Sequence, residues 1–204
     1  YFGRSIALAD DRQVLAVGAP FHHLKCAVFL YTNCNGSWGL ADTVAASDGQ
    51  ENLDNFGDSV AISSDGSRLA VGNYRDDGFR GAVYLFDRSG DTWSQDSKLS
   101  LDSAEMDDYF GSSVALSDDG SRLFIGAQER DIGQNADQGA VYYYENPGSG
   151  WQYVAELSAS GAESDDNFGN SIAAGPNGRF FVVGAFRANS GSGRGGAVFS
   201  YERN

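Results

Sequence analysis

Apolar residues in this chain come in short runs broken by turns rich in Gly, Asn and Asp, and they do not recur at a helical period, so the pattern predicts strands. The stretch from Asp54 to Trp93, DNFGDSVAISSDGSRLAVGNYRDDGFRGAVYLFDRSGDTW, shows the order. A first run carries Phe-Gly-x-Ser-Val-Ala from Phe56 and ends on Asp65-Gly66. A second is Leu69 to Gly72 and a third is Ala82 to Phe86. Trp93 then opens a more polar run, through Leu99, that alternates as a solvent-facing outer strand does. Asp-Gly between apolar runs is a strong hairpin signal, because both residues accept positive φ at low cost. The second and third runs are apolar on consecutive residues, as strands covered on both faces are. A Gly inside the second run marks a place where packed backbones come close.

The same phrase returns along the chain. Phe-Gly stands at Phe2-Gly3, Phe56-Gly57, Phe110-Gly111 and Phe168-Gly169, at steps of 54, 54 and 58 residues. Val17-Gly18-Ala19, Val71-Gly72-Asn73, Ile125-Gly126-Ala127 and Val183-Gly184-Ala185 keep step with it. So do Ala27-Val28-Phe29, Ala82-Val83-Tyr84, Ala140-Val141-Tyr142 and Ala197-Val198-Phe199. Landmarks in register at one period mean a single supersecondary unit repeated. Four antiparallel strands per unit, stacked radially, make a β-propeller. The expectation is an all-β propeller segment of about four blades, with repeats at 1–53, 54–107, 108–165 and 166–204 and the last lacking its fourth strand. Three arrangements are open: a small ring with one short blade, an arc of a larger propeller, or a ring closed by a second copy. The arc is the preferred reading.

Composition narrows the partners. A formal net charge of -14 disfavours nucleic acid and anionic membrane surfaces, both of which select a basic footprint. No run approaches the roughly eighteen apolar residues of a membrane-spanning helix. The chain opens on Tyr1-Phe2-Gly3, inside a repeat, so it reads as a mature or trimmed piece. Cys26 and Cys34 flank an extended run, and about 3.3 Å per residue carries them beyond disulfide reach. Cys26 takes a place held by Gly in the other repeats.

These motifs resemble the FG-GAP repeat, the blade unit of the integrin α-subunit head and of many secreted or surface proteins. Phe2-Gly3 with Val17-Gly18-Ala19-Pro20 is the nearest instance. The resemblance implies a propeller used for extracellular adhesion or ligand binding, without catalysis of its own, at the cell surface or outside the cell. Related repeats often carry an Asp-x-Asp-x-Asp-Gly calcium loop between the first two strands. Here that place holds Ser63-Ser64-Asp65-Gly66-Ser67, Ser117-Asp118-Asp119-Gly120-Ser121 and Gly175-Pro176-Asn177-Gly178, too few carboxylates for the six to eight oxygens calcium takes.

Blade connectivity sorts the loops by end. First-to-second and third-to-fourth turns share one end, and they are short. The other end gathers the second-to-third loops and the approach loops ahead of each Phe-Gly, so ligand binding is expected there. The approach loops share Glu-x-x-Asp-x-Phe-Gly: Glu51 and Asp54, then Glu105, Asp107 and Asp108, then Glu163, Asp165 and Asp166. Two readings are open. In one, the Asp two before Phe caps backbone N–H groups. In the other, each loop holds a calcium ion with help from carbonyl oxygens.

The second-to-third loops differ in every repeat. They offer His22 and His23, then Tyr74, Arg75, Asp76, Asp77, Phe79 and Arg80, then Glu129 and Arg130, then Phe186 and Arg187, as a mixed-charge rim with aromatic contacts. Ser5, Ser59, Ser113 and Ser171 occupy one place in every repeat, so they read as scaffold rather than nucleophiles. The expectation is a non-enzymatic module binding a protein or glycan on its acidic, loop-rich face. The alternatives are a structural building block that assembles with other chains, and a lectin with one pocket per blade.

Overall fold

The Asp-Gly and Asn-Gly turns close hairpins where the sequence places them. Gly66, Gly120 and Gly178 take φ of 65°, 64° and 60° in a computed structural model that describes residues 1–10, 13–20, 26–48, 55–189 and 195–203. Blade 1 is β1 (Ser5–Leu8), β2 (Val14–Ala19), β3 (Ala27–Cys34) and β4 (Ser37–Val44). Blade 2 is β5 (Ser59–Ile62), β6 (Arg68–Asn73), β7 (Ala82–Ser89) and β8 (Thr92–Leu99), with a helical turn α1 (Asp76–Phe79) between β6 and β7. Blade 3 is β9 (Phe110–Leu116), β10 (Arg122–Ala127), β11 (Ala140–Glu145) and β12 (Gln152–Leu157). Blade 4 is β13 (Phe168–Ala174), β14 (Phe180–Ala185) and β15 (Ala197–Glu202).

Every sheet is an antiparallel meander in sequence order, four-stranded in blades 1 to 3 and three-stranded in blade 4. The third and fourth strands slip register at one place in each four-stranded blade, at Leu30/Tyr31, Leu85/Phe86 and Tyr143/Tyr144. A bulge there adds twist to the outer half of each blade. First strands of successive blades lie against one another, which sets the blades side by side about an axis.

The core is three interlayers, one between each pair of neighbouring blades. Phe56, Phe110 and Phe168 each plug the layer against the preceding blade and are no more than 1% exposed. Their rings meet Tyr84, Tyr142 and Phe199 edge-on at 5.4, 5.5 and 5.5 Å. Burying one such ring contributes about 2–3 kcal/mol.

Both glycine landmarks then have a cause. Gly57, Gly111 and Gly169 follow the plug in the left-handed region, with φ of 91°, 89° and 91°. Gly18, Gly72 and Gly126 lie under the next blade, where an added Cβ would stand 2.0 to 2.1 Å from the carbonyl oxygen of that following glycine. The same carbonyl accepts a hydrogen bond from the serine of the preceding blade: Ser5 Oγ to Gly57 O at 2.8 Å, Ser59 Oγ to Gly111 O at 2.8 Å, Ser113 Oγ to Gly169 O at 2.6 Å. These serines are inter-blade latches. Their recurrence in every repeat is structural.

A second tie runs along the hairpin end. The backbone N–H of Asp10 donates to Ser64 O, that of Ser64 to Asp118 O, and that of Asp118 to Pro176 O, at 3.0, 2.8 and 2.8 Å. Arg68 and Arg122 add side-chain bonds to the carbonyls of Gly120 and Asn177 in the next blade. Cys26 and Cys34 form no disulfide, and Cys26 Sγ donates to the Pro20 carbonyl.

Candidate functional site

The second-to-third loops and the approach loops do converge at one end. Tyr109 and Phe110 donate their N–H groups to Phe79 O and Arg80 O, at 3.1 and 3.2 Å. One blade on, Asp165, Asn167 and Phe168 donate to Ala136, Asp137 and Gln138. The approach loops of blades 3 and 4 are thus bonded to the long loops of the blades before them.

Two aspartates of the approach loops face inward as caps. Asp108 Oδ2 accepts the N–H of Glu105 at 2.7 Å, and Asp166 Oδ2 accepts that of Glu163 at 2.8 Å. Asp108 also accepts from Arg130 Nη1 at 2.7 Å, with side chains 3% and 15% exposed. Burial pushes the Asp108 carboxyl above its usual value even against that guanidinium. Among the described residues, no three His, Cys, Asp or Glu side chains gather as metal ligands would. Glu51, Asp54, His22 and His23 lie outside the described residues.

Asp76 and Arg130, expected on the binding rim, are turned into the fold instead. Asp76 is 8% exposed. Its carboxylate meets Lys98 Nζ at 2.8 Å and accepts from Tyr84 Oη at 3.1 Å, while Asp48 meets the same two groups at 2.7 and 2.8 Å. Blade 3 holds the opposite charges at the same two places, although the ion pair of Arg130 is with Asp108. Arg130 stands three residues past the end of β10, as Asp76 does past β6, and Glu156 pairs with Tyr142 across β11 and β12 as Lys98 pairs with Tyr84 across β7 and β8. Burial opposes both cations, but the Lys98 ammonium is held above its usual value by Asp48 and Asp76, and the Arg130 guanidinium by Tyr142, Asp108 and Glu156. In both blades these buried charges hold loops to strands, Asp76 to Lys98 and Arg130 to Asp108.

What is left is a half-buried aromatic and charged patch between blades 2 and 3. The rings of Tyr74 and Phe79 lie 5.0 and 5.6 Å from Tyr109, and Arg75 stacks over Phe79 at 5.1 Å. Tyr109 holds φ of 58°, a left-handed conformation that costs a bulky residue about 1 kcal/mol or more. Beside it, burial raises the Glu129 carboxyl, helped by the charge of Asp137 and opposed by Arg187. Burial also raises Asp137, with Asp131 and Asp165 adding to it. Phe186 is half exposed under the Arg187 guanidinium. On the other flank of the 74–81 loop, a cleft of about 440 Å³ is lined by Asp77, Arg80, Lys98, Leu101 and Asp102.

Tyr109 and Asp137 escaped the sequence reading. A signal for Tyr109 existed, since it stands where the neighbouring repeats have Asn55 and Asn167.

The FG-GAP repeat pattern matches residues 38–86, 93–144 and 151–201, each segment running from the outer-strand Trp of one blade through the third strand of the next. The chain belongs to the FG-GAP repeat family. No curated protein matches this FG-GAP chain in sequence. Among solved structures it is similar to "Crystal structure of TolB from Acinetobacter baumannii", with TM-score 0.52, 15% identity, and coverage of 98% of this chain and 43% of that one. It is also similar to "Structure of U3-55K", with TM-score 0.61, 14% identity, and coverage of 98% and 51%. At such identities the likeness is one of fold, and the chain spans about half the length of each. The calcium loop known from FG-GAP relatives does not fit here. Asp65 is the single carboxylate of its turn and is filled by donors, Ser63 Oγ at 2.7 Å and Ser67 N and Oγ at 3.0 and 2.7 Å; Asp119 repeats this with Ser117 and Ser121. Burial alone would raise these carboxyls, yet the donors hold both below the usual range.

Proposed function

We propose that this FG-GAP segment is a non-enzymatic binding module, acting at the cell surface or outside the cell, whose loop-rich end between blades 2 and 3 takes a protein ligand. One observation supports the reading: Tyr74, Phe79 and Tyr109 form a partly exposed aromatic cluster topped by Arg75 and bordered by Glu129 on the loop-rich rim. Tyr and Arg are the residues that most often dominate binding energy when they anchor an interface. The strain kept at Tyr109 fits a functional rather than a packing role.

Arrays of extracellular proteins and of glycans, probed with the purified chain, test this directly. Tyr109→Asn is the decisive variant, because Asn tolerates the positive φ and stands in the neighbouring repeats, so the fold is kept while the ring is lost. A protein hit weakened roughly tenfold or more by Tyr109→Asn and by Arg75→Ala supports the proposal. A hit indifferent to both variants, hits confined to glycans, or no hit on either array would overturn it.

A further inference from the structure

The β3–β4 hairpin of blade 1 turns on Asn35-Gly36, with Cys34 and Ser37 as its last paired residues. Both turn residues hold positive φ, 54° and 85°, as the two-residue hairpin turn favoured by Asn-Gly requires. Turn chemistry thus accounts for Asn35 and Gly36, but not for Ser37. Of all the asparagines in the chain, Asn35 alone has Ser or Thr two residues on. The Asn33 side chain accepts the Gly36 N–H at 2.9 Å and holds the turn. The Asn35 amide and the Ser37 hydroxyl belong to exposed residues and make no hydrogen bond among the described residues. In blade 2, Thr92 at the place of Ser37 instead donates its hydroxyl to Ser89 O at 2.9 Å. Exposure belongs to the turn itself: blade 2 has a blade on each side, and its Ser89, Gly90, Asp91 and Thr92 are exposed as well.

We propose that Asn35 is an acceptor for an N-linked oligosaccharide. Asn-x-Ser with x other than Pro is the pattern that N-glycosylation reads, and a surface turn is where a bulky, hydrated glycan is accommodated. In the transfer, Nδ2 of Asn35 forms a bond to the anomeric carbon of an oligosaccharide carried on a lipid pyrophosphate. The bond from that carbon to the pyrophosphate oxygen breaks, the lipid pyrophosphate leaves with the electron pair, and the amide gives up one proton. Ser37 supplies the hydroxyl by which the transferase selects its acceptor. The inference rests on the reading that the chain acts at the cell surface or outside the cell, since donor and transferase lie on that route. The turn stands at the hairpin end of its blade, opposite the loop-rich end, so a glycan there leaves the Tyr109 patch open.

Secretion of the chain behind a cleavable leader, from a eukaryotic host that carries out N-glycosylation, reads the outcome by peptide mass spectrometry. The peptide holding Asn35 is expected to carry a glycan. Release by a peptide N-glycosidase in heavy-oxygen water should leave an aspartate marked with the heavy isotope at that position, and the whole chain should lose the mass of one glycan. Ser37→Ala leaves the Asn-Gly turn in place, and Asn35→Asp keeps it as Asp-Gly, so both variants stay folded by circular dichroism and both should lose the glycan. Ser37→Thr should retain it. A secreted wild-type chain with an unmodified Asn35 overturns the proposal. So does a glycan that persists in Ser37→Ala or in Asn35→Asp. The leader imposes the route, so a failure of the extracellular reading leaves the result in this host unchanged, whereas an unmodified Asn35 counts against the site alone.

Discussion

The exchanged pair at Asp76 and Lys98 offers a direct test of the scaffold, through Lys98→Glu and the double variant Asp76→Arg with Lys98→Glu. Lys98 Nζ lies 2.8 Å from Asp76 and 2.7 Å from Asp48, with Lys98 28% exposed, Asp76 11% and Asp48 51%. Removing one partner of a fully buried pair costs about 3–5 kcal/mol. Exposure of Asp48 and partial exposure of Lys98 discount that to about 2 kcal/mol for loss of the cation. A carboxylate placed between two others adds repulsion, for about 3 kcal/mol in Lys98→Glu. In a chain of this size that lowers Tm by roughly 6–12 °C. The double variant installs the blade 3 arrangement in blade 2, where the introduced guanidinium would face both the introduced carboxylate and Asp48, and should recover more than half of the loss. Denaturant melts of wild type, Lys98→Glu, Asp76→Arg and the double variant give the coupling energy. If the double variant is as unstable as Lys98→Glu, or if Lys98→Glu costs less than about 0.5 kcal/mol, blades 2 and 3 do not carry one interchangeable pair.

The latch and the acidic patch make smaller claims. Ser113→Ala removes the hydroxyl that Gly169 O accepts, inside a layer where Ser113 is 8% exposed, and should cost about 1 kcal/mol. Ser171→Ala, at the same place on the open face of blade 4, should leave the melt unchanged. Glu129→Gln should raise Tm at neutral pH, by less than about 1 kcal/mol in stability, because burial and Asp137 disfavour the charged carboxylate in the fold. A folded carboxyl lifted above its unfolded value favours folding fully only below the unfolded value and loses that contribution as pH rises through the folded one. The gain from Glu129→Gln should therefore shrink toward zero as pH falls to the ordinary carboxylate range. A gain that grows on acidification would contradict the assignment.

Strand order and blade count were readable from the sequence because each blade solves the same packing problem with the same residues. A plug, a left-handed glycine, a latch serine and a glycine under the neighbour are all forced by the distance between sheets, so they recur at a fixed period and announce themselves. The hairpin turns were equally plain, since Asp-Gly and Asn-Gly take the positive φ seen at Gly66, Gly120 and Gly178. The second-to-third loops gave no such help. Nothing local distinguishes an Asp that points to solvent, as Asp77 does, from Asp76 beside it, which turns inward to Lys98.

Departures from the repeat are therefore the informative positions, and they divide by whether the departure is compensated. Arg130 stands where Asp76 does and Glu156 where Lys98 does, so the two charges exchange together. Tyr109 stands where two repeats have Asn, keeps a backbone conformation that suits Asn better, and packs its ring against Tyr74 and Phe79. A departure that strains the backbone without compensation costs the isolated fold stability, and the proposed ligand contact at the loop-rich end would offset that cost. Tyr109→Asn should therefore stabilise the isolated fold while weakening the proposed binding, and a variant that loses stability instead would make the ring a packing element.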